Sequence, residues 1–233
     1  MVCGLIVSAG KQSRFHSDIP KALAKIDGQS LWERNIAAMN SVCDKVFTVC
    51  SFDNQHYFDT KDKIVINSGK GSGDAVWQAL EKIDCNKYDS CFIMWGDTLH
   101  SQDIFLQLSK SYCGVTIVPC VYEQKPYVQV LQSGERKLSV KFSKFNEDIC
   151  AGFHDLSLFY APTQVLLEKL RQFRRRLLQE NGTYSHKHGN EMEFMDVFNE
   201  TDIEAVILEC KDYKDFSFNT LDELQSLQKK GLV

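Results

Sequence analysis

The 233-residue chain predicts an α/β fold: a mixed, mainly parallel sheet flanked by helices, with a small antiparallel hairpin in its second half. Three observations carry this expectation. In the first half, apolar runs of strand length alternate with segments of helical period, the pattern of a doubly wound sheet. Those runs lack polar alternation, as strands covered on both faces do. Beyond residue 115 the chain turns to strands joined by Ser133-Gly134, a turn signal.

Taken in order, residues 2–8 form a buried first strand that ends at Ala9-Gly10. Ser30-Leu31-Trp32-Glu33 is a capping box, in which hydroxyl and carboxylate satisfy the first amides of a helix, so a helix is expected over 30–40. Strands follow at 45–51 and 63–67. Gly71-Ser72-Gly73-Asp74 opens a helix through 83, and the apolar strand 90–95 stops at Gly96-Asp97. Residues 115–121, 127–132 and 138–142 read as antiparallel strands, and 156–160 as another. Pro162 suits the first turn of a helix through 180. The polar stretch 181–190 is expected as a mobile loop, and a second capping box at Thr220-Leu221-Asp222-Glu223 begins the last helix. No repeat, low-complexity tract or linker interrupts this order, so a single domain over 1–233 is expected.

The formal net charge of -4 provides no field for a nucleic acid. The arginines of 171–176 are expected to form a solvated helix face, and His186 and His188 a surface pair. Nine cysteines without CxxC spacing read as reduced thiols of a cytoplasmic protein. The apolar start lacks a basic leader and is too short to span a bilayer, so no membrane partner is expected. A homodimer is allowed.

Three places carry candidate chemistry. The loop at 8–21 (SAGKQSRFHSDIPK) follows a buried strand, where open α/β sheets bind ligands. Ser8, Ala9 and Gly10 let the backbone approach phosphate oxygens, and Lys11, Arg14 and Lys21 add positive charge; from composition alone an ordinary solvated loop is an equal reading. Gly71 and Ser72 lie at a helix N-terminus, where a plain cap is the common alternative. Gly96-Asp97 puts a carboxylate at the tip of an apolar strand, costly unless paired, hydrated or metal-bound. Such oxygens suit Mg²⁺, although a cap on the next helix is the commoner role. Neither GxxxxGK[ST] nor GxGxxG occurs, and 67–73 (NSGKGSG) lacks the hydroxyl of a Walker loop.

The ordered combination of strand, SAGxxxRF…PKAL, GxGxA at a helix start and an apolar strand ending in GD resembles the sugar-phosphate nucleotidyltransferases over nearly the whole chain. Among these are N-acetylglucosamine-1-phosphate uridyltransferase and related cytidylyltransferases. The hairpin at 127–142, the NEMEFMD segment at 190–196 and Asn219 before the last helix are similar too. The resemblance implies a Rossmann-like, nucleotide-diphospho-sugar transferase-like fold. It further implies Mg²⁺-dependent transfer from an NTP to a small phosphorylated acceptor, in capsule, polysaccharide or glycoconjugate synthesis. Carried over, Ser8, Ala9, Gly10, Lys11 and Arg14 would hold the nucleotide and its phosphates, and Lys21 would join Arg14 at the reacting centre. Gly71, Ser72 and Gly96 would complete the nucleotide site, Asp97 and Asn219 would ligate Mg²⁺, and the acceptor would sit near Tyr127 and Gly152.

The chain departs from the family at Gln12, where relatives often have a second glycine. Phe142-Ser143-Lys144 stands in place of a glutamate, and Cys150-Ala151-Gly152 in place of Asn-Thr-Gly. An acceptor other than the acetylated amino sugar is therefore expected, with Lys144 serving an acidic or phosphorylated group. CTP is favoured, then UTP, with a sugar 1-phosphate or a phosphoester such as phosphocholine as acceptor. A molybdopterin nucleotidyltransferase-like enzyme and a non-catalytic nucleotide sensor remain alternatives.

Overall fold

The computed structural model describes residues 1–10, 19–67, 70–145, 147–187, 189–211, 213, 216–217 and 224. In chain order the elements are β1 (Val2–Val7), β2 (Lys25–Ile26), β3 (Gln29–Ser30), α1 (Leu31–Met39), β4 (Lys45–Ser51), β5 (Lys63–Ile66), α2 (Ser72–Lys82), β6 (Ser90–Trp95), β7 (Thr98–Leu99) and α3 (Gln102–Ser111). There follow β8 (Thr116–Glu123), β9 (Val128–Gly134), β10 (Lys137–Phe142), β11 (Gly152–Asp155), β12 (Leu158–Pro162), α4 (Thr163–Leu177), α5 (Val197–Glu200), β13 (Ala205–Glu209) and β14 (Phe216–Ser217).

Ten strands join one sheet in the order β10-β9-β11-β8-β12-β6-β1-β4-β5, with β13 added alongside β8. The β6-β1-β4-β5 portion is parallel, and β13 also lies parallel to β8. From β12 outward the pairings along the main path are antiparallel. Neighbouring residues on a strand face opposite sides, and both sides are covered. Leu5, Val49 and Ile93 meet Val76 and Leu80 of α2 and Leu166 and Phe173 of α4. Ile6, Phe92 and Met94 meet Met39 of α1 and Ile104 and Phe105 of α3. This two-sided burial is why β6 reads as an unbroken apolar run, with five of its six residues buried.

The first capping box forms as its spacing requires. The Ser30 backbone N–H donates to Glu33 Oε2 at 2.8 Å, and the Glu33 N–H donates back to Ser30 Oγ at 3.2 Å. The second box falls outside the described residues. Several expectations are corrected. The strand read at 156–160 starts at Leu158, because Ser157 adopts φ 58 and its N–H turns back to Asp155 Oδ1 at 2.9 Å. Gly152–Asp155 and Ala205–Glu209 are strands that local pattern did not show.

The arginine run does not form a wholly solvated face. Arg171 grips both oxygens of Glu81, at 2.7 and 2.9 Å, and the Arg174 guanidinium lies 3.9 Å from the Trp77 ring centroid. These contacts tie α4 to α2. Described residues of the 181–190 stretch, expected as a mobile loop, are tied to the rest of the chain. Tyr184 is buried, its hydroxyl donates to Asp74 Oδ1, and Lys70 Nζ donates to the Gly182 carbonyl at 3.0 Å. His186 is no surface histidine either: its side chain is 5% exposed and lies 3.5 Å from both Asp196 Oδ2 and Glu200 Oε1. His188 lies outside the described residues. Among the described residues, no helix is long and apolar enough to cross a membrane.

Candidate active site

The parallel strands deliver their carboxyl ends to one edge. There β1 runs on into the buried Ser8 and Ala9. The Ser8 N–H donates to the Val49 carbonyl at 2.8 Å, and the Asn54 side-chain amide donates to the Ser8 carbonyl at 2.7 Å. Gly96 lies directly against this end, its N–H donating to the Val7 carbonyl at 2.9 Å. A Cβ on Gly96 would sit 2.0 Å from Ser8 Oγ, so only glycine lets the two strand ends meet. Gly10 is exposed just beyond. Lys11, Arg14 and Gln12 fall outside the described residues, as does Asn219.

Asp97 follows Gly96 and is not a helix cap, since Ser101 takes the N-cap position of α3. Instead it meets Lys21. Pro20, in extended backbone, leads into a short 3-10 turn at Lys21–Leu23. The Lys21 ammonium lies 2.9 Å from Asp97 Oδ2, with side chains 6% and 41% exposed respectively. A charge buried to that degree needs its counter-charge, and the half-open carboxylate keeps an oxygen face toward the cleft.

That cleft, of about 430 Å³, is lined by Lys21, Ser72, Asp97, Tyr127 and Lys144, among others. Residues from opposite ends of the sequence expectation thus share one surface. Gly152 is not among the lining residues. It opens β11, where a Cβ would come within 2.8 Å of the Gln129 side-chain amide, so its smallness serves strand packing. Among the lining residues given no role from the sequence are Trp95, just before Gly96-Asp97, His154 and Asp155, and Glu193 lies in the 190–196 segment marked only by resemblance. Asp155 is buried, and burial pushes its carboxyl above the usual range.

Glu193 organises the far side. Gly71, with φ 98, turns the chain into α2, and the Gly73 N–H donates to the Met192 carbonyl at 2.8 Å. Ser72 Oγ donates to Glu193 Oε2 at 3.0 Å and accepts the Phe194 N–H at 2.9 Å. The other carboxylate oxygen, Glu193 Oε1, accepts from Lys144 Nζ. Lys144 also lies 4.7 Å from the Phe145 ring centroid, a cation–π contact.

The donor set suits a hard cation of the Mg²⁺ kind. Asp97 supplies a carboxylate at the cleft, and Mg²⁺ is commonly held by one or two carboxylates together with substrate phosphates. Among the described residues no group of three or more His, Cys, Asp or Glu is placed to hold a metal unaided.

A cleft at the carboxyl edge of a parallel sheet, carrying an ion pair of a buried lysine and a half-open aspartate, defines a ligand-binding α/β architecture. Residues 4–191 match the MobA-like NTP transferase domain, and the chain belongs to that family. It is 24% identical over 222 residues to the bifunctional protein GlmU of Buchnera aphidicola subsp. Schizaphis graminum (strain Sg), covering 89% of this chain and 46% of that protein. The chain thus spans about half the length of this curated relative. Its fold is shared with HddC from Yersinia pseudotuberculosis (TM-score 0.69, 14% identity, 99% of this chain and 100% of that one). It is shared also with the inositol-1-phosphate CTP transferase from T. maritima (TM-score 0.70, 12% identity, 98% and 95%).

Proposed function

We propose that the protein transfers a nucleoside monophosphate from an NTP, CTP or UTP, to a sugar 1-phosphate or similar small phosphorylated acceptor, releasing pyrophosphate. The observation that carries this reading is the Lys21–Asp97 pair in a cleft of an NTP transferase domain. An acceptor phosphate oxygen attacks the α-phosphorus, the new P–O bond forms in line, and the bond to pyrophosphate breaks. The acceptor is already ionised, so no general base is required. The barrier lies in bringing two anions together and in charge growing on the leaving group, which positioned cations lower.

Lys21 is the described cation at that centre, aimed by Asp97. In this reading Lys11 and Arg14 add positive charge, and Ser8, Ala9, Gly10, Gly71, Ser72 and Gly96 form the nucleotide edge. Tyr127 and Lys144 face the acceptor. Asp97, with Asn219, would hold Mg²⁺, which when bound supplies further neutralisation of the phosphates. The setting is capsule, polysaccharide or glycoconjugate synthesis in the cytoplasm. A molybdopterin nucleotidyltransferase is the second reading, favoured by the MobA-like character of the matched domain.

Pyrophosphate release, with Mg²⁺ and each of the four NTPs against a panel of sugar 1-phosphates, small phosphoesters and molybdopterin, tests both. Turnover with CTP or UTP and one acceptor, lost in Asp97→Ala, is the expected result. Turnover with molybdopterin as the acceptor, whichever NTP serves, would favour the second reading. Tight NTP binding without turnover on the whole panel would leave the non-catalytic sensor.

A further inference from the structure

Glu193 uses both carboxylate oxygens to join two parts of the chain that sequence keeps far apart. Oε2 accepts the Ser72 hydroxyl at the start of α2, and Oε1 accepts the Lys144 ammonium beyond β10. The Glu193 side chain is 14% exposed and that of Lys144 32%, so water screens this pair only in part and the bond directs both groups. Ser72 and Lys144 line the same cleft from different sides. The Ser72 hydroxyl also accepts the Phe194 N–H, which pins the residue following Glu193. Moving any one of these groups therefore displaces the others.

We infer that Glu193 is a positioning residue that sets the nucleotide edge and the acceptor edge of the cleft together, through Ser72 and Lys144. The inference rests on the nucleotidyltransferase reading for the names of those edges, but the coupling itself does not. One consequence bears on the acceptor. Lys144 meets it as half of an ion pair, so an anionic group on the acceptor must compete with Glu193 for the ammonium.

Two variants separate the two links. In Glu193→Gln the amide oxygen still accepts from Ser72, but the charge that holds Lys144 is gone. In Glu193→Ala both links are lost. With the NTP–acceptor pair found above, E193Q should change the acceptor KM at least fivefold and leave the NTP KM within twofold, whereas E193A should raise both. A residue that merely supported the fold would move both constants alike in the two variants, or neither. A second readout needs no turnover: the rate at which an amine-reactive acylating reagent modifies Lys144, followed by peptide mass spectrometry. That rate should rise severalfold in E193Q and, because Ser72 aims Glu193, also in Ser72→Ala. Lys144 labelling in S72A equal to wild type would overturn the coupling, even in a protein that shows no transferase activity. Absence of turnover with intact labelling effects would instead count against the nucleotidyltransferase reading alone.

Discussion

Lys21 and Asp97 form one ion pair in unequal surroundings, and that inequality separates their effects on stability from their effects on rate. The Lys21 side chain is 6% exposed and that of Asp97 41%. Removing Asp97 takes a carboxylate away from a buried cationic side chain, whereas removing Lys21 leaves a carboxylate that water can reach. Asp97→Ala should therefore destabilise the fold by about 1–3 kcal/mol. Lys21→Met, which keeps the length of the stem, should cost clearly less. Urea midpoints read this order directly. Both variants should lower kcat by roughly 10²–10³-fold, the usual loss when one charge-stabilising contact is removed. A K21M protein as unstable as D97A would mean that the lysine serves packing more than charge. A K21M protein of normal kcat would remove it from the reacting centre.

At the scale of the element, the start of α2 leaves no room for a side chain at Gly71. Gly71 combines φ 98 with a backbone neighbour so close that a Cβ would lie 2.5 Å from the Met192 carbonyl oxygen. Backbone strain of this kind costs about 1–3 kcal/mol, and the clash adds to it, since a carbonyl cannot swing away like a side-chain tip. Gly71→Ala should thus lower the urea midpoint and, by pushing 192–194 outward, raise the NTP KM. An unchanged midpoint would mean that the clasp yields freely. This junction also marks how far the sequence could be read. Ser30-Glu33, Gly71-Ser72 and Gly96-Asp97 were legible because each signal is local: a cap, a loop into a helix, a strand halted by a carboxylate. The bridging role of Glu193 was not, because its partners stand 49 and 121 residues away: the resemblance marks the 190–196 segment, but nothing local marks this acid as a bridge. The strands at 152–155 and 205–209 escaped for a similar reason. Their edges are completed by distant neighbours rather than by periodicity of their own.

Across the whole molecule, the cysteines report whether the sheet has the register described. Strand side chains alternate with period two, so a slip of one residue would turn each buried thiol to the other face. Cys3 and Cys91 lie opposite each other on β1 and β6, both wholly buried on the face covered by α2 and α4. All nine cysteines are free, and two, Cys113 and Cys150, are exposed. Burial pushes the Cys43 thiol up to about 12 and those of Cys85 and Cys210 up to about 11, which removes the thiolate that reacts. A thiol titration of the native protein near pH 8 should accordingly show two fast groups, with the remainder appearing only on unfolding. The two fast sites, located by peptide mapping, should be Cys113 and Cys150. The buried groups should stay silent until the protein unfolds. Fast labelling of Cys3 or Cys91 would mean that the β1–β6 pairing is open or shifted. That pairing also sets Gly96 against Ser8, so such a result would dismantle the base of the cleft along with the register.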